Sequence, residues 1–334
     1  MAVFHNFTNL PADAKGAVVA IGNFDGVHLG HQAVIRQASE IAKELGVPLA
    51  VLTFEPHPRS LFQPDRPCFR LTPMFAKAHA LVKVGVDHVF IQDFTLEFAK
   101  QTAESFVLET LVRDLGAKHL VIGGDFCFGK DRQGNARLLE TLGEKHSFGV
   151  TAATLVKDKS SEVLSSSRIR DYLRDGKPGA AARILGRYWE IDGAVQHGFK
   201  RGRTIGFPTA NLSMENYLHP SLGVYAVRVA KDGVEGFGLT HWYNGVANIG
   251  KRPTLDGDRV NLEVFIFDFD EDIYDMDLRV QIVEYLRPEQ KFDGLTALTN
   301  QIAKDSEQAK ELLLNLDDHP IEFVVMTTSD EQAK

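Results

Sequence analysis

Apolar and polar positions in the first half of the chain follow two alternating periodicities. Short apolar runs, typical of buried strands, occur at 17–21, 48–54, 87–91, 118–122 and 150–156. Segments with apolar residues at helical spacing separate them, at 31–45, 72–84, 102–115 and 137–142. This alternation predicts a parallel sheet covered by helices on both faces. The pair Thr72-Pro73 is typical of an N-cap followed by the first helical residue.

The pattern changes near Gly186. Two short helices are predicted before it, at 167–174 and 178–185. After it, strands are predicted at 189–195, 223–229, 261–267 and 279–285, and glycine-containing loops separate these strands. An antiparallel sheet or a small closed barrel fits this second pattern. One long amphipathic helix is predicted at 295–316. We therefore predict domains at 1–185 and 186–325, followed by a polar tail at 326–334.

Composition narrows the function classes. The chain has 334 residues, enough for two domains, and 44% hydrophobic with 25% charged residues is ordinary for a globular protein. A net charge of −8 disfavours non-specific nucleic-acid binding. Cys68 and Cys127 form no CxxC pair, which disfavours a disulfide framework or a cysteine zinc site. Without a signal-peptide pattern or an apolar run of ~18–20 residues, a cytoplasmic protein with no membrane partner is expected.

The strongest local signal in the first half is the turn GNFDGVHLGH at 22–31, between a strand and a helix start. Its glycines allow backbone N–H groups to approach a ligand, and a helix N-terminus favours an anion. His28 and His31 are three residues apart, so both can face one phosphate. A helix cap with two incidental histidines is the alternative. A zinc pair is disfavoured because no third ligand lies nearby in the sequence.

Three further segments are candidates for ligand binding. One lies at a helix start, and two follow strands, at the end of a parallel sheet where ligands are expected. SSSRIR, with Ser165, Ser166, Ser167 and Arg168, suits a polyphosphate clamp, or simply a serine-capped surface helix. GGDFCFGKDR at 123–132 follows a strand and combines glycines, phenylalanines and charges, which suits a nucleotide base. FEPHP at 54–58 follows another strand in the same way.

Two segments of the second half offer oxygen ligands. GFKRGRTIGFPTANL at 198–212 contains Thr209 and Asn211, whose neutral oxygens suit Mg²⁺ when phosphates and waters complete its shell. A polar β-turn is the equally weighted alternative. Glu263 lies in the apolar strand NLEVFIF, either facing solvent or held in a site, and the local sequence favours the solvent-facing alternative.

Together these motifs resemble a known family. GNFDGVHLGHQ, TFEPHP, GGDFCFGKDRQG and SSSRIR, in this order, are similar to the N-terminal half of prokaryotic bifunctional riboflavin kinase/FAD synthetases. GRTIGFPTANL, GVYAV, GVANIGKRPT and LEVFIFDFDEDIYD, followed by a helix, resemble the riboflavin kinase module over about 186–316. The chain departs from the family pattern in having Ser167 for threonine, Phe265 for histidine and Tyr274-Asp275 for Tyr-Gly.

The resemblance implies a fold and two reactions. The fold is an α/β nucleotidyltransferase domain with a Rossmann-like parallel sheet, followed by a six-stranded β-barrel riboflavin kinase domain with a C-terminal helix. The first reaction phosphorylates riboflavin to FMN, releasing ADP, and the second transfers the adenylyl group of ATP to FMN, giving FAD and pyrophosphate. Both use ATP and Mg²⁺.

The resemblance also implies roles for individual residues. His28 and His31 would contact the α and β phosphates, Arg168 would hold the departing pyrophosphate, and Glu263 would be the base for the ribityl 5′-hydroxyl. Thr209 and Asn211 would hold Mg²⁺–ATP. Further ATP or phosphate contacts are implied for Gly22, Asn23, Phe24, Asp25, Gly30, Ser165, Ser166, Ser167, Gly202 and Arg203. Flavin contacts are implied for Phe54, Pro56, His57, Pro58, Asp125, Phe126, Phe128 and Arg252.

Two other functions compete with this interpretation. One is a single-activity adenylyltransferase whose barrel binds flavin without catalysis. The intact PTAN motif, residues 208–211, and Glu263 disfavour it. The other is a nucleic-acid-binding barrel, which the acidic charge balance disfavours. The oligomeric state is not predicted by the sequence.

Overall fold

A computed structural model gives the fold of the chain and describes residues 2–5, 7, 10–196, 206–231, 241–254, 257–314 and 316. The chain divides into two compact units. The first contains most of the described chain up to Ser165, and the second contains Pro67–Leu71 together with the described residues from Ser166 to Leu316. Each unit therefore carries its own sheet and its own core.

The first unit is built on a six-stranded sheet in the order β1-β4-β3-β2-β5-β6. Every neighbouring pair in it is parallel. The strands are β1 (Ala2–His5), β2 (Val18–Ile21), β3 (Leu49–Glu55), β4 (His88–Asp93), β5 (His119–Gly123) and β6 (Gly149–Ala153). The five predicted strands are confirmed, although β6 ends earlier than predicted. The edge strand β1 has only four residues and was not predicted.

Helices cover both faces of this sheet, as predicted. They are α1 (Leu29–Leu45), α2 (Pro58–Phe62), α3 (Met74–Lys83), α4 (Ala103–Ser105, continuing as the π-helical Phe106–Asp114) and α5 (Ala136–His146). Successive strand residues point to opposite faces. Val19 and Ile21 accordingly pack on one side, and Val18 and Ala20 on the other. Burial on both sides explains why these strands are continuous apolar runs.

The predicted capping of α3 by Thr72 is wrong. The helix begins at Met74, and Pro73 occupies the N-cap position without a side-chain hydrogen bond. The Thr72 side chain has a different partner, because its Oγ1 accepts a hydrogen bond of 2.8 Å from the backbone N of Gly26. A tertiary contact to the loop after β2 has therefore replaced the local cap.

The second unit begins with α6 (Ser166–Arg174) and α7 (Pro178–Leu185) and ends with α8 (Leu295–Leu314). Between them lie β7 (Trp189–Ala194), β8 (Ala210–Ser213), β9 (Gly223–Lys231), β10 (Tyr243–Thr254), β11 (Gly257–Ile266) and β12 (Asp277–Arg287). The sheet order is β7-β12-β9-β10-β11-β8, with antiparallel neighbours throughout. The backbone N of Gln196 donates to the Asn211 carbonyl at 2.8 Å, which joins the two edges. The predicted six-stranded barrel is thus nearly closed.

Helix α8 packs on the outside of this barrel. Its Ala309 and Leu313 join Val224 and Phe267 in one apolar cluster. Beside the cluster, Arg287 of β12 donates through Nη2 to Asp305 of α8 at 2.7 Å, and the Asp305 side chain is only 5% exposed. An ion pair this buried is sensitive to the loss of either partner, since the remaining charge stays desolvated.

We expect Asp305→Ala to lower the free energy of unfolding of the second unit by about 3–5 kcal/mol, because it leaves the Arg287 guanidinium, which is only 19% exposed, without its carboxylate. Asp171→Ala is the matched control; it removes an exposed pair with Arg174, worth about 0.2–1 kcal/mol. Both tryptophans of the chain, Trp189 and Trp242, lie in this unit, so urea titration followed by tryptophan fluorescence reports on it. Equal effects of the two substitutions would contradict the account.

Candidate active sites

The loop at 22–31 lies at the carboxyl end of β2, in the middle of the parallel sheet. Phe24, Gly26 and Val27 have positive φ angles of 48°, 90° and 42°, which is uncommon for residues other than glycine. The Phe24 and Val27 side chains are buried in the core beneath the loop. These two anchors hold the backbone in a tight curve, so Phe24 can contact a ligand only through its main chain.

Hydrogen bonds to neighbouring segments hold the loop at 22–31 in place. Asp25 is 3% exposed, and its Oδ1 accepts from the backbone N of Thr72 at 3.0 Å. The Gly22 N–H donates to the Leu52 carbonyl at 3.1 Å, and the Asn23 carbonyl accepts from Thr53 Oγ1 at 3.2 Å. Asp25, Gly22 and Asn23 of the predicted set therefore hold the shape of the loop.

His28 and His31 lie together at the start of α1. Their rings stack with centroids 3.6 Å apart and an interplanar angle of 21°. His28 is the N-cap of the helix, and its Nδ1 accepts a hydrogen bond from the backbone N of His31 at 3.3 Å. An accepting Nδ1 carries no proton, so in this arrangement the proton of the neutral His28 ring is on Nε2. His28 therefore does cap the helix, which leaves Nε2 as the hydrogen-bond donor of its ring.

Gly30 lies directly beside the His28 ring. A Cβ at position 30 would lie 3.0 Å from His28 Cε1, 3.1 Å from His28 Nδ1 and 3.4 Å from the Leu164 carbonyl. These distances are shorter than ordinary van der Waals contacts between carbon and its neighbours. The absence of a side chain at Gly30 therefore allows the imidazole of His28 to occupy its place.

A cluster of phenylalanines lies at the carboxyl ends of the same sheet. Phe54, at the end of β3, is surrounded by Phe94, Phe98 and Phe106 at centroid distances of 5.9, 6.3 and 6.5 Å. Phe128 contacts Phe106 at 5.6 Å, and Phe126 stacks on Phe128 at 5.6 Å. The ring of Phe62, 6.0 Å from Phe94, is 60% exposed. Phe54, Phe106 and Phe128 are buried, so the accessible apolar surface of the cluster is the Phe62 ring together with the half-buried Phe94, Phe98 and Phe126.

The sequence predicted part of this cluster. Phe54, Phe126 and Phe128 were in the predicted flavin-binding set, whereas Phe62, Phe94, Phe98 and Phe106 were missed. Phe94 directly follows β4, the strand beside β3 in the sheet, so its position after a predicted strand was an available signal. Phe62 ends the short helix α2, which carried no sequence signal of its own.

The remaining predicted residues of this region lie in turns near the cluster. His57 caps α2 through an Nδ1 that accepts from the Arg59 backbone N at 3.1 Å, and Pro58 is the first helical residue. Pro56 directly precedes His57. Asp125 is exposed in the turn after β5. The FEPHP segment and Asp125 therefore belong to the same end of the sheet as the phenylalanines.

The SSSRIR segment begins α6. Ser165 belongs to the first unit, and Ser166, Ser167 and Arg168 belong to the second. The guanidinium carbon of Arg168 lies 6.0 Å from the ring centroid of Tyr172, one helical turn further on. The approach of these residues to the histidines stays a prediction.

In the second unit, the strand register brings the PTAN motif to Glu263. Asn211 of β8 is directly opposite Glu263 of β11, and Glu263 is directly opposite Asn248 of β10. Side chains opposite each other in an antiparallel pair share one face of the sheet. The Asn211 amide lies 3.5 Å from the Thr209 carbonyl oxygen. Thr209, Asn211 and Glu263 are therefore neighbours, as one site requires.

The two sides of Glu263 differ in character. Its neighbours Leu262 and Val264 are fully buried and point to the other face of β11, whereas Glu263 is half-buried on the face that carries Asn211. Phe265 follows on that face, and its ring meets Phe207 edge-on at 5.2 Å. The half-buried carboxylate thus shares its face of the sheet with the Phe265 ring and the Asn211 amide, and is not fully exposed to solvent.

Two further residues beside Glu263 were missed by the sequence prediction. Asn248 donates through Nδ2 to Glu289 Oε1 at 3.2 Å, so Glu289, just after β12, adds a second carboxylate near the site. Asn248 lies in a glycine-rich strand that the apolar pattern did not predict. Asp275, where the resembling family has glycine, has φ 62°, a left-handed conformation that glycine adopts more readily.

Some predicted residues fall outside the described part of the chain. Gly202 and Arg203 are outside the described residues, and for Arg252 the backbone lies in β10 but the side chain is not described. Within the described ranges, no three His, Cys, Asp or Glu side chains are grouped as metal ligands. Among the helices that the structure describes, none is long and apolar enough to cross a membrane.

Comparison with known proteins accounts for both units. A family model described as FAD synthetase matches residues 10–168, and one described as riboflavin kinase matches residues 185–313. The first match covers the parallel sheet from β2 to β6 and the second covers the barrel, which confirms the predicted fold class. A solved structure described as a macrolide-efflux protein from Streptococcus pneumoniae has a TM-score of 0.79 and 32% identity, covering 94% of this chain and 99% of that one.

Curated relatives extend over nearly the whole chain. A bifunctional riboflavin kinase/FMN adenylyltransferase of Haemophilus influenzae is 41% identical over 315 residues, which cover 93% of this chain and 98% of the relative. One of the same description from Escherichia coli K12 is 39% identical over 307 residues, covering 92% and 95%. With both family models matched in this order, the chain belongs to the family of bifunctional riboflavin kinase/FMN adenylyltransferases.

Proposed function

We propose that this chain phosphorylates riboflavin to FMN in its barrel and adenylates FMN to FAD in its first unit, consuming one ATP in each step. The observation that carries the proposal is the presence, in one chain, of the stacked His28 and His31 beside a tight loop and of Glu263 aligned with the PTAN motif. A barrel that only binds flavin would have no need of the second arrangement. Since both steps consume ATP, we place the protein in the cytoplasm.

The adenylyl transfer needs alignment and charge stabilisation more than a covalent nucleophile. A phosphate oxygen of FMN attacks the α phosphorus of ATP, and the bond from that phosphorus to the bridging oxygen breaks, releasing pyrophosphate. His28 would donate from Nε2 to the α or β phosphate, with His31 beside it. Arg168, with Ser165, Ser166 and Ser167, would hold the departing pyrophosphate.

The flavin of this step would rest on the phenylalanine cluster. An isoalloxazine ring is flat and largely apolar, and aromatic side chains bind such rings by stacking and edge contacts. Phe54, Phe126 and Phe128 would form the floor and the exposed Phe62 an edge. Pro56, His57, Pro58 and Asp125 would line the rim.

The kinase step would use Glu263 together with Asn211, which lies opposite it on β8. The ribityl 5′-hydroxyl attacks the γ phosphorus of ATP, Glu263 accepts the hydroxyl proton, and ADP leaves. Thr209 and Asn211 fit Mg²⁺, because they offer a few neutral oxygens and leave room for phosphates and waters in its shell. When bound, the ion neutralises charge on the phosphates. Gly202, Arg203 and Arg252 are proposed as further nucleotide and flavin contacts.

Labelled ATP tests the two steps in one experiment. With riboflavin as the only flavin, label from the γ phosphate should enter FMN and then FAD, whereas label from the α phosphate should enter FAD alone. If α label enters FAD only when FMN is supplied and γ label enters no flavin, the barrel is not a kinase and the single-activity alternative holds.

A barrel fragment should keep kinase activity but lose stability. We place the functional boundary near Gly186, but Trp189 Nε1 donates to the Leu71 carbonyl at 2.8 Å, and Leu218 N donates to the Arg70 carbonyl at 2.7 Å. A fragment of residues 183–334 lacks both acceptors, and each unsatisfied buried donor costs about 1–3 kcal/mol. We expect FMN formation, no FAD formation and a lowered Tm, measured by chromatography and thermal unfolding. A folded fragment that forms no FMN would count against the boundary.

Gly30→Ala should impair FAD synthesis selectively. The added methyl group displaces the His28 ring, and misplacement of a catalytic group by about 1 Å can cost roughly 10²-fold in rate. Riboflavin phosphorylation in the same protein is the internal control. Gly179→Ala, whose Cβ would meet only Glu284 Oε2 at 3.6 Å, is the matched glycine substitution. Unchanged FAD synthesis in Gly30→Ala would show that the His28 position is unimportant.

A further inference from the structure

A lysine is buried beneath the loop at 22–31. Lys77 of α3 is 3% exposed, although lysine is rarely buried without a polar partner. Its Nζ lies 3.2 Å from Oγ1 of Thr53, which is fully buried on β3. The same Thr53 oxygen lies 3.2 Å from the carbonyl oxygen of Asn23. These contacts join α3, β3 and the loop in one chain of hydrogen bonds.

The direction of this chain is fixed by its chemistry. An ammonium group only donates hydrogen bonds, and a carbonyl oxygen only accepts them. Thr53 must therefore accept from Lys77 and donate its single hydroxyl proton to Asn23. Removing the Thr53 hydroxyl abolishes the hydrogen bond to Asn23. Removing Lys77 leaves that bond in place but takes away the charged donor that orients and polarises the hydroxyl, so both changes weaken the support of the Asn23 peptide.

The supported peptide lies where it controls the loop. Asn23 precedes Phe24, the first of the residues with positive φ, and the loop ends at the stacked His28 and His31. Asp25 of the same loop is bonded to Thr72, just before α3. Helix α3 and its N-terminal flank thus hold the loop at two points, one on each side of Phe24.

We propose that Lys77 is a positioning residue of the adenylyl-transfer site, which acts through Thr53 on the Asn23 peptide to hold the loop in its ATP-binding conformation. The inference rests on the proposed function of that loop. A hydrogen bond from a charged group is worth roughly ten- to a hundred-fold in an equilibrium. Loss of Lys77 should therefore appear as weaker engagement of ATP in FAD synthesis and should leave the kinase step intact.

Steady-state kinetics of FAD synthesis at varied ATP and FMN test this, well below the unfolding temperature. We expect Lys77→Met to raise KM for ATP about ten-fold or more, with KM for FMN and the riboflavin kinase rate unchanged. Lys83→Met, at an exposed position of the same helix, should behave as wild type. A purely structural defect would lower kcat through the fraction of folded enzyme and leave KM for ATP unchanged, which would overturn the proposal.

Substitutions of Thr53 keep the proposal testable if Lys77→Met does not fold. Thr53→Val keeps the side-chain shape but removes the hydroxyl, and should raise KM for ATP as Lys77→Met does; Thr53→Ser keeps the hydroxyl and should stay near wild type. The double variant should be no worse than either single one, because both break the same chain. Equal behaviour of the Val and Ser variants would overturn the proposal. A wild-type enzyme that forms no FAD would instead refute the proposed function.

Discussion

Glu263→Gln is expected to lower riboflavin phosphorylation by about 10²–10⁴-fold while FMN adenylation stays at the wild-type rate. Glutamine keeps the size of the side chain and its place opposite Asn211, but it cannot accept the hydroxyl proton. Flavin and ATP binding should therefore survive, and the defect should lie in kcat. Steady-state kinetics of FMN formation at varied ATP and Mg²⁺ measure it.

Thr209→Ala provides the contrast within the same site. Its defect should appear partly as a higher KM for Mg²⁺–ATP, since the oxygen it removes is proposed to contact the ion. Glu284→Gln, at an exposed position of β12, is the matched carboxylate control and should behave as wild type. If Glu263→Gln keeps near-normal turnover, Glu263 is only a strand residue and the base lies elsewhere.

His28→Ala is expected to lower FAD synthesis by about 10²–10³-fold and to spare riboflavin phosphorylation, because it removes a donor to the phosphates. Since His28 also caps α1, alanine removes a cap worth ~1 kcal/mol as well. His28→Asn separates the two effects: asparagine is a good N-cap but lacks the imidazole donor. Initial rates of FAD formation from FMN and of FMN formation from riboflavin measure both.

One parallel variant and one control complete the experiment with His28. His31→Ala should lower FAD synthesis to a similar degree without loss of the cap, and His79→Ala, exposed on α3, should change neither rate. If His28→Asn restores FAD synthesis, the histidine serves only as a helix cap. Equal loss of both reactions in a folded variant would also defeat the assignment.

The sequence predicted those elements whose apolar pattern is strong. The four central strands of the first unit, β2 to β5, have buried residues on both faces, so each is a continuous apolar run, and the sequence predicts all four. It also predicts the edge strand β6, which is only partly buried. Strand β10 was missed because glycines and a proline interrupt YNGVANIGKRPT, and its pairing with β9 and β11 is a tertiary property. Short strands such as β1 and β8 span too few residues to show a period.

The functional residues divide in a similar way. His28, Glu263, Thr209 and Asn211 stand in dense motifs, and the β8–β11 register brings two motifs that are distant in sequence together, as the proposed kinase site requires. Lys77 stands in an ordinary amphipathic helix, and only burial beside Thr53 distinguishes it from a surface lysine.

Long-range contacts account for the other differences. The Thr72 cap was mispredicted because its hydroxyl binds Gly26, which is remote in sequence. Residues 67–71 likewise belong to the barrel unit, because their backbone carbonyl groups accept hydrogen bonds from Arg170, Trp189 and Leu218. Every residue has a carbonyl group, so the sequence does not show which of them will accept such a bond.

One chain is proposed to make FAD from riboflavin through FMN. The most direct test is a time course with purified protein, riboflavin as the only flavin, ATP and Mg²⁺, with the flavins resolved by chromatography. We expect FMN to appear first and FAD to follow, and we expect Glu263→Gln to make FAD only when FMN is added. FAD formation by the wild-type chain only from added FMN, or no flavin product at all, would contradict the account.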